Sequence, residues 1–329
     1  LGLNIDGFKY CVMNILVTGC AGFIGSHVTE QLLNDGHRII GLDNYDDFYA
    51  RSIKERNMSS FSTHPNFSFK EIDLRDFDAL MTIGENIDAV IHLAAKAGVL
   101  PSLKNPQAYI SSNILGTNNV LELMRQKGCK KLVFASSSSV YGNNKKIPFT
   151  ETDDVNNPIS IYAQTKKSCE LLNYTYHHLY DFDIINLRFF TVFGPRQRPD
   201  LAIHKFFSKI SKGEAIKMYG DGSTARDYTF IEDTVSGIKA ALNYVIEKSD
   251  IYEIVNLGNN TPIKLIDLIN TIYEVLDHPA QITTSPMQPG DVEITFADIS
   301  KAKQLFNYQP KTSLRDGLLK FKDWYVNKK

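Results

Sequence analysis

A glycine-rich turn, TGCAGFIG over residues 18–25, joins five residues that read as a buried strand to twelve that read as an amphipathic helix. Asn14–Thr18 (NILVT) lacks polar alternation, which predicts a strand covered on both faces. Ile24, Val28 and Leu32 share one face of a helix predicted over Phe23–Asn34. Between them Gly19, Gly22 and Gly25 give the spacing G-x-x-G-x-x-G. The first glycine permits a tight turn, the second lets the backbone approach a pyrophosphate, and the third lets the helix pack closely on the strand. Phe23 and Ile24 open the helix at that turn, where free N–H groups and the macrodipole favour an anion. A strand feeding a helix in this way predicts a right-handed crossover and a parallel neighbour.

The same alternation continues downstream. Strands are predicted at Arg38–Asp43, 67–73, 89–93, 131–135 and 182–190, with long helices over 106–127, stopped by Gly128, and 159–180. Together these predict an α/β fold, a Rossmann-type doubly wound parallel sheet. After Gly194-Pro195 the rhythm changes, and turn signals cluster at Gly220-Asp221-Gly222, Gly258-Asn259-Asn260 and 286–290. The expected organisation is an N-terminal extension (1–12), a dinucleotide-binding domain (13–180) and a smaller, mostly helical C-terminal substrate region (181–329), with 231–257 a segment able to return to the first domain.

Asp43 ends the second predicted strand, where a carboxylate accepts from both adenosine ribose hydroxyls and repels a 2′-phosphate; this favours NAD over NADP. Arg51 and Lys54 follow in a loop and read as a solvated face. Tyr162 and Lys166 stand four apart in YAQTK, on one face of a predicted helix. A phenol titrates near about 10, and a neighbouring ammonium draws it down toward use as a base. A hydroxyl from the run Ser136–Ser139 is placed to hydrogen-bond a substrate oxygen.

A net charge of −1 gives no basis for nucleic-acid wrapping or anionic-membrane attraction, and no apolar run reaches transmembrane length. Cys11, Cys20, Cys129 and Cys169 have no metal-ligand spacing and read as reduced thiols of a cytosolic protein. His27 and His92 read as packed or hydrogen-bonded residues, and His177-His178 lacks a third ligand at metal spacing, so no metal is expected.

The motifs TGCAGFIG, IDLRD, HLAA, SSSSVYG, YAQTK and RFFTVFGP run in this order from Met13 toward the C-terminus. In them the chain resembles the extended short-chain dehydrogenases/reductases, specifically the nucleotide-sugar epimerase and dehydratase group. The resemblance implies catalytic roles for Ser137, Tyr162 and Lys166, with the tyrosine deprotonating a sugar hydroxyl as hydride passes to tightly held NAD. It assigns Asp73 and Leu74 to adenine, and Leu93, Ala94 and Ala95 to the floor of the cofactor groove. Lys96, Asn113 and Phe189 match further cofactor-side positions. It also implies a homodimer paired through the helices near 106–127 and 159–180.

Relatives that eliminate water carry Asp-Glu where this chain has Ser138 and Ser139, and decarboxylating relatives keep a glutamate at the second position. Both differences favour simple inversion at C4. The segments TVFGPRQRPDLAIHK and PMQPGDVEITFAD are similar to the UDP-glucuronate 4-epimerases. That similarity places Arg198 near a sugar carboxylate, which a guanidinium grips through paired donors. Thr191 and Ser138 supply further donors. Arg226 matches a phosphate-binding arginine, Asp291 a nucleotide-contacting acid, and Ile216 to Tyr219 the uracil-binding backbone. Gln288 and Leu100 stand where many relatives have arginine. The expected activity is NAD-dependent 4-epimerisation of a UDP-sugar through a transient 4-keto intermediate, with UDP-glucuronate giving UDP-galacturonate for polysaccharide. The alternatives are a UDP-glucose or UDP-N-acetylglucosamine 4-epimerase and, in another class, a non-catalytic NAD-binding scaffold.

Overall fold

The computed structural model describes residues 12–278, 281–286 and 293–327. Its centre is a seven-stranded sheet: β1 (Asn14–Thr18), β2 (Arg38–Asp43), β3 (Phe67–Glu71), β4 (Ala89–His92), β5 (Lys131–Ser137), β6 (Asp183–Phe189) and, from much later in the chain, β10 (Tyr252–Leu257). The spatial order is β10-β6-β5-β4-β1-β2-β3, every pairing parallel. Alternate side chains leave opposite faces of a strand, so each strand feeds two cores. Ile15, Val17, Ile91, Val133 and Ile185 pack with α1 (Phe23–Asn34) and α9 (Ile231–Glu247). Leu16, Val90, Leu132, Phe134 and Ile184 pack with α6 (Gly116–Lys127) and α7 (Ile161–Tyr180). The chain thus forms the doubly wound α/β fold that its alternation predicts.

Several expected bounds shift by one or two residues, the strand expected over 67–73 ending at Glu71 and the helix expected over 159–180 starting at Ile161. Two differences bear on the site. Strand β5 runs on through Ser136 and Ser137 before Ser138–Tyr141 turn into a 3₁₀ helix. The helix expected over 106–127 is three pieces: α5 (Pro106–Tyr109), a π-helical turn at Ile110–Leu115, and α6. The wider turn has a visible cause. Asn113, within it, accepts from the Lys96 N–H (2.8 Å) and donates to the Lys96 carbonyl (3.0 Å) and to Thr165 Oγ1 (3.0 Å). A π-turn inside a helix commonly marks such a demand on one side chain. Just before it, α4 (Val99–Lys104) is a short helix that the sequence pattern did not reveal.

Beyond β6, β7 (Thr191–Phe193), β9 (Ala225–Phe230) and β11 (Pro262–Lys264) form a three-stranded sheet, and β8 (Ile216–Tyr219) pairs with β12 (Ile282–Ser285). Helices α8 (Ala202–Ile210), α10 (Leu265–Leu276) and α12 (Leu314–Asn327) cover these strands, while α11 (Ser300–Phe306) packs on α9 and β10. This assembly overhangs the C-terminal ends of the main strands, where ligands of open parallel sheets bind.

Candidate active site

Between the two parts lies a cleft of about 890 Å³. At its inner end Gly19 has φ +74°, and a Cβ there would come within 2.9 Å of the Ala94 nitrogen. A Cβ on Gly25 would lie 2.0 Å from the Gly19 carbonyl oxygen. The turn is therefore a cradle that only hydrogens can line, open to the cleft at Gly19, Gly22, Phe23, Ile24 and Gly25. Asp43 closes β2 beside it. Its carboxylate accepts from the Tyr45 N–H (2.8 Å) and the Ala21 N–H (3.3 Å), while burial raises its pKa against the pull of Lys54. Lys54 is not the solvated residue expected. It is 5% exposed, 4.0 Å from Asp43, and donates to the Asp46 carbonyl. Arg51 does face solvent, paired with Glu55 and Glu71.

Asp73 and Leu74 line the far end of this half, Asp73 held by Arg75 and Asn44. Leu93, Ala94 and Ala95 form the floor after β4, and Phe189 enters from β6. Lys96 joins Asp46 across the opening at 2.6 Å. Asn113 stays behind the wall, shaping it through Lys96. Cradle, acidic strand end and flat floor fit a dinucleotide with a free ribose 2′-hydroxyl.

Ser137, Tyr162 and Lys166 converge on the middle of the cleft. Ser160 caps α7 by accepting from the Ala163 N–H, and Ser102 Oγ accepts from the Tyr162 N–H (3.1 Å), so the tyrosine is fixed at a helix start. Lys166 Nζ donates to the Ala135 carbonyl at 2.6 Å and lies 4.9 Å from the centre of the Phe134 ring. Burial pushes this lysine down to about 8, opposed by Cys169 and Glu170. The sequence reading had Lys166 drawing the phenol down. In the structure burial raises the Tyr162 phenol, and the groups opposing it are Ser137, by hydrogen bond, and then Arg198. His92 and His27 are packed and hydrogen-bonded as expected, His92 between Thr18 and Thr117 and His27 on the Pro195 carbonyl.

The outer end carries Ser138, Ser139, Thr191 and Arg198. Arg198 binds Asp200 through Nε (2.9 Å) and Nη2 (2.7 Å) and stacks over Phe48 at 5.1 Å. Tyr219 and Arg226 line the same end, Arg226 Nη1 donating to the Ala225 and Glu293 carbonyls. Ile216 is wholly buried and does not reach the cleft, although Lys217 does. Asp291 and Gln288 lie outside the described residues. The sequence reading missed Lys205 and Lys209, one helical turn apart on α8, and Lys217, which with Arg226 make this end basic. Their i,i+4 spacing was legible; that it faced the cleft was not. Phe48 and Tyr49 also reach the cleft from the loop after β2, without any periodic signal. Among the described residues no group of three or more His, Cys, Asp or Glu could hold a metal, and no helix is long and apolar enough to cross a membrane.

The sheet, glycine cradle and Ser137–Tyr162–Lys166 convergence define an extended short-chain dehydrogenase/reductase architecture. The profile of the GDP-mannose 4,6 dehydratase family matches residues 16–321, and the chain belongs to that family. Within it, the chain is 46% identical over 312 residues to a UDP-glucuronate 4-epimerase of Thermodesulfobacterium geofontis, spanning 94% of this chain and 95% of that one. The crystal structure of the Bacillus cereus UDP-glucuronic acid 4-epimerase with UDP-glucuronic acid and NAD superposes with a TM-score of 0.90 at 36% identity, covering 96% and 100% of the two chains. A Methanobrevibacter ruminantium UDP-N-acetylglucosamine 4-epimerase gives 0.88 at 32% identity, covering 97% and 99%.

Proposed function

We propose that this protein is an NAD-dependent UDP-glucuronate 4-epimerase. The observation that carries the substrate choice is Arg198, a half-enclosed guanidinium that lines the same cleft as Tyr162. In a uronate, the reacting C4 hydroxyl and the carboxylate are borne on adjacent ring carbons. A base and a guanidinium lining one cleft therefore suit the two groups together. NAD, when bound, supplies a hydride acceptor that later returns the same hydride, and a positively charged ring. Tyr162, as phenolate, takes the C4 hydroxyl proton and afterwards gives it back. Ser137 donates a hydrogen bond to the same oxygen and keeps it aligned, and Lys166 supplies positive charge beside the pair. Rotation of the 4-keto sugar between the two half-reactions inverts C4 with no net redox change.

Ser138 and Ser139 offer no acid–base pair for elimination. Arg198, Thr191 and Ser138 hold the carboxylate so that its bond to C5 stays out of alignment with the π system of the C4 carbonyl, suppressing loss of carbon dioxide. The outer basic residues receive the diphosphate. The dinucleotide half runs past the boundary expected near 180 to include β6, so it comprises 13–189 with the returning 231–257, and the remainder binds the UDP-sugar. We assign the enzyme to the cytosol, as a dimer joined through the face of α7 that bears Leu171, Tyr174 and Leu179, all more than half exposed.

A neutral UDP-sugar is the second reading. It is favoured by the Asp200 carboxylate already bound to Arg198. Incubating the purified protein with UDP-glucuronate, UDP-glucose and UDP-N-acetylglucosamine and separating the products decides between them. UDP-galacturonate should form fastest; faster turnover of a neutral sugar overturns the uronate reading.

A further inference from the structure

Glu170 and Arg188 are the most deeply buried ion pair of the described residues, 0% and 1% exposed, and neither lines the cleft. Arg188 donates through Nε to Glu170 Oε1 and through Nη2 to Oε2, both at 2.9 Å. Ser136 Oγ donates to Oε1 at 2.6 Å. Burying two such charges gains little stability over well-packed apolar side chains, because desolvation offsets their attraction. A bidentate pair does, however, fix direction and separation more tightly than apolar packing.

The chain positions of the three residues show what is fixed. In the parallel register Ser136 pairs with Arg188 and Ser137 with Phe189. Neighbouring side chains on a strand leave opposite faces. Ser136 and Arg188 therefore point toward α7, while Ser137 and Phe189 point into the cleft. Glu170 lies one helical turn beyond Lys166 and two beyond Tyr162 on α7. Lys166 ties that helix to the Ala135 carbonyl, and Glu170 ties it to the next residue of β5. The Arg188 guanidinium also lies 4.9 Å over the Tyr141 ring, whose hydroxyl donates to Asn256. Both ends of the turn carrying Ser137–Ser139 thus rest on one ion pair.

We propose that Glu170, Arg188 and Ser136 are positioning residues that set the approach of Ser137 to Tyr162 during proton transfer. The proposal rests on the epimerase reading above. A displacement of about an ångström between such groups costs on the order of a hundredfold in rate. Glu170 and Arg188 do not line the cleft, and Ser136, at its edge, spends its hydroxyl on Glu170, so the trio should act on kcat and leave KM alone.

The test compares wild type, Ser136→Ala, Glu170→Gln and the charge-neutral double variant Glu170→Gln/Arg188→Met, which avoids stranding a buried guanidinium. Tightly bound NAD, melting temperature, kcat and KM for UDP-glucuronate are measured on each. Ser136→Ala should lower kcat by about 3- to 10-fold and the double variant by about 10- to 100-fold, with NAD content and KM within about twofold of wild type. Folded, NAD-bearing variants with kcat within about twofold of wild type overturn the proposal. So does loss of NAD or of folding in Ser136→Ala, which would make the trio a structural prop. Should the wild type prefer a neutral UDP-sugar, the substrate reading fails, and the same kcat comparison on that sugar still decides the clamp.

Discussion

Replacing Gly25 by alanine tests the cradle directly. The added Cβ would lie 2.0 Å from the Gly19 oxygen, 2.7 Å from the Gly19 carbonyl carbon and 3.1 Å from the Cys20 Cα. All three obstacles are backbone, so no side chain can rotate away. To reach ordinary contact, the turn and α1 must part by more than an ångström. Overpacking of this kind costs about 1–3 kcal/mol, and here it acts on the segment that would hold the pyrophosphate. Gly84 is the control: nothing lies within 4 Å of its would-be Cβ, and its φ is not positive. Alanine there should leave stability unchanged or raise it by about 0.4–1 kcal/mol through the unfolded chain. The assay releases bound dinucleotide from each purified protein by heat, measures it by enzymatic cycling, and follows melting in parallel. Gly25→Ala should melt several degrees lower and carry well under one NAD per chain. A Gly25→Ala protein with full NAD content and the wild-type melting point would refute the steric argument.

Tyr162→Phe should lower turnover by about 10²–10⁴-fold with the melting point retained, since only a hydroxyl is removed; turnover near wild type would identify another base. Arg198→Ala should weaken UDP-glucuronate binding by about 10- to 100-fold, affect neutral UDP-sugars less, and raise UDP-pentose by-product; unchanged kinetics on the uronate would remove Arg198 from carboxylate binding. Lysines at Leu171 and Tyr174 should shift the protein toward monomer in sedimentation, whereas an unaltered mass would place the dimer contact elsewhere. His92 is pushed down to about 3 by burial. As pH falls from about 6.5, the unfolded chain therefore gains a proton that the folded chain refuses, and stability is lost, by about 2–3 kcal/mol at pH ~4.5. His92→Gln should flatten that part of the stability–pH curve in chemical denaturation; parallel curves for the two proteins would contradict it.

The sheet was legible because its strands are short apolar runs with glycine or polar residues at each end, and β1, β2 and α1 carry the bounds expected of them. The π-turn at Ile110–Leu115 was not legible. Its cause is a tertiary bond from Asn113 to the Lys96 backbone, and a uniform helical period hides it. Local patterning made the Ser137, Tyr162 and Lys166 set visible for the same reason as the glycine turn: each motif lies at one strand end or one helix start. What the pattern could not carry was who meets whom. Lys54 reads as a polar loop residue, yet it stands on a helix, Arg51–Met58, whose inner face buries it against Asp43. Arg198 is expected near a sugar carboxylate, and the carboxylate that holds it here is that of Asp200, two residues on. The phenol of Tyr162 is governed by burial more than by its lysine neighbour, a balance set by three dimensions.

The edge strand β10, Tyr252–Leu257, has a consequence for how the molecule is made. Along β6 it covers the backbone opposite Ile184, Ile185 and Leu187. A ribosome must deliver most of the chain before that row of amides and carbonyls finds its partner. Until then the nascent sheet presents an open apolar border of the kind that recruits chaperones or neighbouring chains. A gene fragment stopped at residue 180 would lack β6 as well, leaving β5 as the border. Such a truncation should be recovered in inclusion bodies rather than as a free-standing half.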